Sequence, residues 1–392
     1  MREERLIEKI EKLVGEYRYD LPFSLYLKRH FRKNPSMGSR DRRDTREWAY
    51  NLFRIGKNLS DLPLAVRLGV ACYLCNDDPT SPLAYPVEKY AGLDRSEMSQ
   101  SREFRFRKVT EKFPGFQGEK IFPMHAMLSP EIDRQAWYLS FLRKPKIWIR
   151  IRKEKVEAVI AELSQSNISF DREPESTVVS FAPDTPLQKT LSWERGYFEI
   201  QDLSSQEVKQ HFSPVPGDAW WDACSGSGGK SLLLLEKEND IDLLATDNRT
   251  SILENYKERL KKAGHNKVNC MVHDLSGAPL NPGKLFDGII ADVPCSGSGT
   301  WSRNPEWLQS DHSSRVHTHF VPLQRKIVGH ALTSLKSGKP LIYITCSAFL
   351  EENEGNIQYF RENLRVEVEY SAYIKGFSRR ADTLFLARLI HK

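Results

Sequence analysis

The sequence predicts an α/β chain whose last part is a doubly wound domain built on a parallel sheet. Three observations carry this. Strand and helix patterns alternate from about residue 200, the periodicity changes from helical to strand-like at Ile147, and the front section is basic and helix-patterned. A chain of 392 residues is also long enough for two or three cores.

In residues 1–130, Leu6, Ile10, Leu13, Val14 and Tyr17 recur at helical spacing. A second helix is predicted around Trp48, Leu52, Phe53 and Ile55, with the charge cluster Arg40-Asp41-Arg42-Arg43-Asp44 between the two. Residues 76–86, rich in Asp and Pro, predict a loop. The section predicts a helical bundle.

Residues 131–200 predict a small α/β unit. Ile147-Trp148-Ile149-Arg150-Ile151 alternates as a strand, 156–163 fits a helix, and Thr177-Val178-Val179-Ser180-Phe181 is a second strand. In residues 201–392 strands are predicted at 219–223, 241–246, 268–272, 286–291, 341–345, 366–369 and 384–389. Helices are predicted at 251–263 and 323–335. Ligands of such sheets bind beyond the carboxyl ends of the strands.

Composition narrows the function classes. No stretch approaches the apolar length of a membrane span, and Met1-Arg2-Glu3-Glu4-Arg5 lacks the apolar core of a secretory signal. Six cysteines in such a chain do not make a disulfide scaffold, so free thiols in a cytoplasmic setting are expected; a monomer and no membrane partner are expected as well. The net charge is +6. Residues 1–60 hold fifteen Lys/Arg against nine Asp/Glu, and residues 101–155 hold fourteen against six. A basic front on a balanced or acidic remainder suggests a polyanion-binding part joined to a catalytic part; the competing reading is a solvated basic face.

The informative residues sit at strand ends. Asp222-Ala223-Cys224-Ser225-Gly226-Ser227-Gly228-Gly229-Lys230-Ser231 runs from a strand through a glycine turn into a leucine-rich helix. Such a turn lets the backbone approach a ligand and offers free N–H groups. It is not a phosphate-binding P-loop, since no glycine lies five residues before Gly229-Lys230-Ser231. The next strand ends at Asp247, suited to ribose hydroxyls, and the third is followed by His273-Asp274. Singly each acid reads as a cap or turn residue; together with the glycine loop they read as a nucleoside site.

The fourth strand ends Asp292-Val293-Pro294-Cys295-Ser296-Gly297-Ser298-Gly299 and the fifth Thr345-Cys346-Ser347. Cys72, Cys224 and Cys270 read as small buried apolar side chains. Cys295 and Cys346 follow buried runs and sit where the chain turns outward, so adjacent strands would bring both thiols to one rim.

These strand-end motifs, with Glu351-Glu352-Asn353-Glu354 and the segment Gly196-Tyr197-Phe198-Glu199-Ile200-Gln201-Asp202-Leu203-Ser204-Ser205-Gln206, resemble the Nop/Sun (RsmB-like) family of RNA cytosine-5 methyltransferases over residues 145–392. The resemblance implies a Rossmann-like methyltransferase domain at 201–392 and an RRM-like domain at 131–200; residues 1–130 show no such match, and their basic charge is what makes RNA binding the expectation there. It implies S-adenosylmethionine as cofactor, held by Asp222, Cys224, Ser225, Gly226, Ser227, Gly228, Lys230, Asp247, Asp274 and Asp292. Cytosine C5 is a poor nucleophile until a thiolate adds at C6. The family implies that Cys346 is that thiolate, that Cys295 helps break the adduct, and that Asp292 binds the cytosine edge at N3 and N4. Lys230 is implied to sit close to the cofactor and active site; with Pro294, and with Arg303 of the Trp301–Trp307 run, it is expected to face the RNA, which presents a single-stranded or flipped cytosine and is, on the resemblance, ribosomal rather than transfer RNA.

Three places depart from the family pattern. Ser225-Gly226-Ser227 stands where Ala-Ala-Pro is usual, Arg150-Ile151-Arg152 where Arg-Val-Asn is, and Gly376-Phe377-Ser378-Arg379-Arg380 matches Asp-Gly-Phe-Phe only loosely. The altered turn motivates an alternative, an RNA-binding ribosome-assembly factor with an inactive site. Retention of both cysteines opposes it. A nitrogen methyltransferase would need an Asn/Asp-Pro-Pro-aromatic loop, which Asp292-Val293-Pro294-Cys295 does not supply.

Cys72-Tyr73-Leu74-Cys75 has zinc-like spacing but no second pair, and His312, His317 and His319 lack an acid cluster, so no metal is expected. Trp301-Ser302-Arg303-Asn304-Pro305-Glu306-Trp307 suits base stacking and phosphate contact, or else a structural loop pinned by two tryptophans. Phe104-Arg105-Phe106-Arg107 reads equally as RNA-binding or as an amphipathic strand.

Overall fold

Helices fill the front of the computed structural model, which describes residues 2–266 and 269–392. They include Arg2–Glu16, Phe23–Lys33, Ser39–Arg54, Leu64–Cys75, Arg102–Lys112 and Arg134–Phe141. The first buries Leu6, Ile10 and Leu13, the face its spacing predicts. The charge cluster at 40–44 is not a connector. It opens the helix Ser39–Arg54, where Asp41 and Asp44 take hydrogen bonds from Arg2.

Two units are distinguished. The first comprises Met1–Ala126, Ile132–Lys144 and Thr300–His312. The division expected at residue 130 therefore falls later, because helix Arg134–Phe141 belongs with the bundle. Residues 300–312 are part of the bundle too. Glu306 is fully buried and accepts from Phe23 N at 2.9 Å, while Gln309 Nε2 donates to the carbonyls of Phe53 and Gly56. The Trp301–Trp307 run is thus a structural segment of the helical unit, and Arg303 lies in it. Phe104-Arg105-Phe106-Arg107 is helical rather than a strand. Arg105 is fully buried, donating to Tyr73 O and Asp77 Oδ1. Cys72 and Cys75 share one helix, and burial pushes both thiols up in pKa. Among the described residues no group of three or more His, Cys, Asp or Glu is arranged to hold a metal, and no helix is long and apolar enough to cross a membrane.

The second unit holds both sheets. The small one has β1 (Ile147–Ile151), β2 (Asp171–Arg172), β3 (Val178–Phe181) and β4 (Phe198–Ile200), in the order β2-β3-β1-β4 with antiparallel pairs throughout. Alternation along β1 sends Ile149 and Ile151 into a core with Val159 and Leu163 of helix Val156–Gln165.

The large sheet has β5 (Ala219–Asp222), β6 (Asp242–Asp247), β7 (Asn269–Val272), β8 (Gly288–Asp292), β9 (Pro340–Thr345), β10 (Val366–Lys375) and β11 (Thr383–His391). Its order is β10-β11-β9-β8-β5-β6-β7. The parallel expectation holds for β5 to β9. β11 alone is reversed, antiparallel to both β9 and β10, and a turn as short as 376–382 permits only a hairpin between β10 and β11. β10 is longer than predicted, and the predicted start of β7 at Val268 lies outside the described residues. Every residue of β9 is buried, as expected of a strand covered on both faces.

Candidate active site

Five parallel strands deliver their carboxyl ends to one edge of the sheet, and a cavity of about 760 Å³ opens there. Beyond β5 the chain turns through residues 223–228 into helix Gly229–Lys237. Cys224, Ser225, Gly226 and Ser227 line the cavity. Gly228 does not face it. At φ 86° it allows the helix to start against Tyr256, whose ring carbon would lie 2.7 Å from any Cβ placed there.

Asp222 also lies beneath the loop rather than in the cavity wall. It is fully buried, accepts from Ser231 Oγ at 2.6 Å, and burial pushes its carboxyl up to about 7. Burial likewise raises the Cys224 thiol.

Asp247 ends β6 and lines the cavity, but both its oxygens are engaged. Oδ1 accepts from the backbone and Nε of Arg249; Oδ2 accepts from Gly226 N at 3.1 Å and from Arg249 Nη2 at 3.0 Å. Burial opposes the charge, yet these donors hold the carboxyl below its ordinary range. Asp274, past β7, lines the cavity too and caps its own turn by accepting from the backbone and hydroxyl of Ser276.

β8 and β9 pair in register up to Asp292 and Ile344. Asp292 Oδ2 accepts from Lys230 Nζ at 2.9 Å, and the same ammonium donates to Ser205 Oγ at 2.9 Å. Burial works against the Lys230 charge, but Asp292, with Cys346 and Asp222, more than offsets it and raises the pKa. Pro294, Cys295 and Cys346 line the cavity, and the two sulfurs lie 3.2 Å apart. The hydrogen bond with Cys346, followed by burial, drives the Cys295 pKa well up.

The structure thus brings together both cysteines, Asp292, Lys230, Pro294, Asp247, Asp274 and most of the glycine loop. Asp222 and Gly228 stand behind that wall, and Arg303 falls in the helical unit. Sequence reading gave no role to Gln201, Ser205 or Arg249, which also line the cavity. Gln201 and Ser205 lie in the quoted segment 196–206, which was the available signal. Nothing in the sequence pointed to Arg249.

An open sheet with this strand order, a glycine turn after the first strand and acids at the next two strand ends defines a Rossmann-like methyltransferase fold. The family described as 16S rRNA methyltransferase RsmB/F matches residues 209–378, and over that stretch the chain is similar to it. Ribosomal RNA small subunit methyltransferase B of Photorhabdus laumondii is 28% identical over 228 residues, 56% of this chain and 51% of that protein. The chain spans about half the length of the curated relatives it matches. Among solved structures, PH0851 has a TM-score of 0.69 at 22% identity, covering 99% of this chain and 97% of its own. NSun6 from Pyrococcus horikoshii, solved with SFG, has a TM-score of 0.57 at 18% identity, covering 66% and 94%. At these identities the likeness is one of fold.

Proposed function

We propose that the chain transfers a methyl group from S-adenosylmethionine to C5 of a cytosine in RNA, with ribosomal RNA as acceptor. The observation that carries this reading is the 3.2 Å approach of Cys295 and Cys346 at the rim of a cavity that the glycine loop also lines. The acceptor class is taken from the name of the curated relatives, and the cofactor from the family and from the SFG, an S-adenosylmethionine analogue, in the NSun6 structure.

The residues present fit that cofactor. Ser225 Oγ is buried at the cavity and makes no hydrogen bond among the described residues, an orphan that a bound ligand would satisfy. Beside it, a Cβ added at Gly226 would meet no atom within 4 Å, so the loop leaves open space. The 224–227 loop, Asp247 and Asp274 would hold the nucleoside. When bound, the cofactor supplies the electrophilic methyl that C5 takes up.

The protein's own residues do the rest. Cys346, as thiolate, forms a bond to C6 and pushes electron density toward C5. Asp292, fixed by Lys230, accepts from the cytosine N4–H and from N3 once that nitrogen carries a proton, and ring protonation favours the addition. The C5 proton is then lost to solvent, the returning electrons expel Cys346 from C6, and Cys295 assists this break-up of the adduct.

The reading is tested by incubating the protein with methyl-labelled S-adenosylmethionine and ribosomal RNA, then mapping the label by bisulfite sequencing. Label at cytosine C5 is expected. Label on another base or on a ring nitrogen, or cofactor binding without transfer to any RNA, would sink it.

A further inference from the structure

The loops that carry the two thiols leave different strands and meet again at Glu352. This residue, in the turn Leu350–Glu352, is fully buried. Its Oε1 accepts from Ser296 N at 2.9 Å and from Gln324 Nε2 at 2.8 Å. Its Oε2 accepts from the hydroxyls of Ser296 and Ser347. Gln324 Nε2 also donates to Pro294 O at 2.9 Å. The chain is therefore gripped on both sides of Cys295, at Pro294 and Ser296, and immediately after Cys346, at Ser347.

We propose that Glu352 is a positioning residue for both cysteines, locking the Cys295 loop to the Cys346 loop and so setting the separation of the two sulfurs. Its catalytic meaning rests on the cytosine-5 reading; the grip itself does not. Burying a carboxylate is costly unless donors replace its water, and here four do. Hydrogen bonds to a charged acceptor are the stronger kind, so the grip is stiff as well as complete. The charge has a second effect. The Cys346 hydrogen bond and burial already keep Cys295 protonated, and the negative charge of Glu352 adds to them. The same group thus aligns the pair and leaves the thiolate role to Cys346.

Three variants separate these effects. Glu352→Gln keeps the shape and loses the charge, since both serine hydroxyls can rotate to accept. Glu352→Ala removes the grip, and Ser347→Ala removes one arm with less risk to folding. A mild thiol oxidant such as diamide, applied to the full chain without RNA or cofactor, reports proximity through the Cys295–Cys346 disulfide found by peptide mass. Wild type should close it readily, with Glu352→Ala and Ser347→Ala slower by about tenfold or more, the rate equivalent of ~1.4 kcal/mol. Glu352→Gln should close it near the wild-type rate, yet its Cys295 should be alkylated by iodoacetamide at lower pH. In turnover Glu352→Ala should lose kcat with KM for RNA little changed. Folded Glu352→Ala and Ser347→Ala proteins that cross-link and turn over like wild type would overturn the proposal. A wild type that cross-links as expected but methylates no cytosine would sink the functional reading and leave the grip standing.

Discussion

Lys230 Nζ lies 2.9 Å from Asp292 Oδ2, so the helix that follows the glycine loop is tied to the strand end that leads into Cys295. Lys230 is almost completely shielded from water, whereas the Asp292 side chain is 31% exposed. Lys230→Met would leave Asp292 facing the cavity without its cation. A hydrogen bond to a charged group that aligns the base is worth roughly 2–3 kcal/mol, and losing it in the transition state should lower kcat on the order of 100-fold. Steady-state kinetics on a variant with unchanged melting temperature checks this; activity within a few-fold of wild type would remove the pair from the mechanism.

The proximity of the sulfurs predicts opposite outcomes for the two cysteines. Cys346→Ala should abolish activity and form no covalent RNA complex. Cys295→Ala should let the complex form and accumulate. A denaturing gel of each protein mixed with RNA and S-adenosylmethionine reads both, and a complex surviving in the Cys346 variant would reverse the assignments.

Asp222 gives a stability signature. Burial raises its carboxyl from the ordinary 3.8 to about 7, so between those values the native state holds a proton that the unfolded chain has released. Its stabilising contribution is complete below about pH 4 and is lost as pH rises through about 7. Asp222→Asn should remove that slope. Denaturant titrations of both proteins across the window check it; parallel curves would contradict the assignment.

Arg249 competes for the carboxylate that a ribose would need. Its side chain is 61% exposed, so the pair with Asp247 is worth only about 1 kcal/mol after screening. Arg249→Ala should tighten cofactor binding by about fivefold, the equivalent of ~1 kcal/mol, whereas Asp247→Ala should weaken it. Calorimetric titration decides, and weaker binding in the Arg249 variant would make that side chain a ligand contact instead.

Much of this site was legible before any coordinates. Apolar runs ending in Asp222, Asp247, Asp292 and Thr345 mark strands whose ends must share an edge once the sheet is parallel, and that places Cys295 beside Cys346. What the sequence hid depends on contacts between distant segments. Arg105 looks like a surface cation until Tyr73 and Asp77 close over it. Arg303 follows Cys295 closely in the chain, yet its segment is held in the bundle through Glu306 and Gln309, a membership no motif announces. The engagement of Asp247 by Arg249 is local, but no periodicity or motif announces an ion pair two residues apart.

The membership of residues 300–312 in the helical unit bears on how the polypeptide is made. On the ribosome, the bundle's earlier helices emerge long before the strip that carries Glu306 and Leu308, so Phe23 N must wait for its acceptor until most of the sheet domain has been synthesised. Conversely, a protein trimmed to begin at residue 145 would expose Trp301 and Leu308, both buried in the intact chain, and should stick to itself. The bundle is therefore finished late in translation, and the sheet-bearing part of the chain does not come away from it clean.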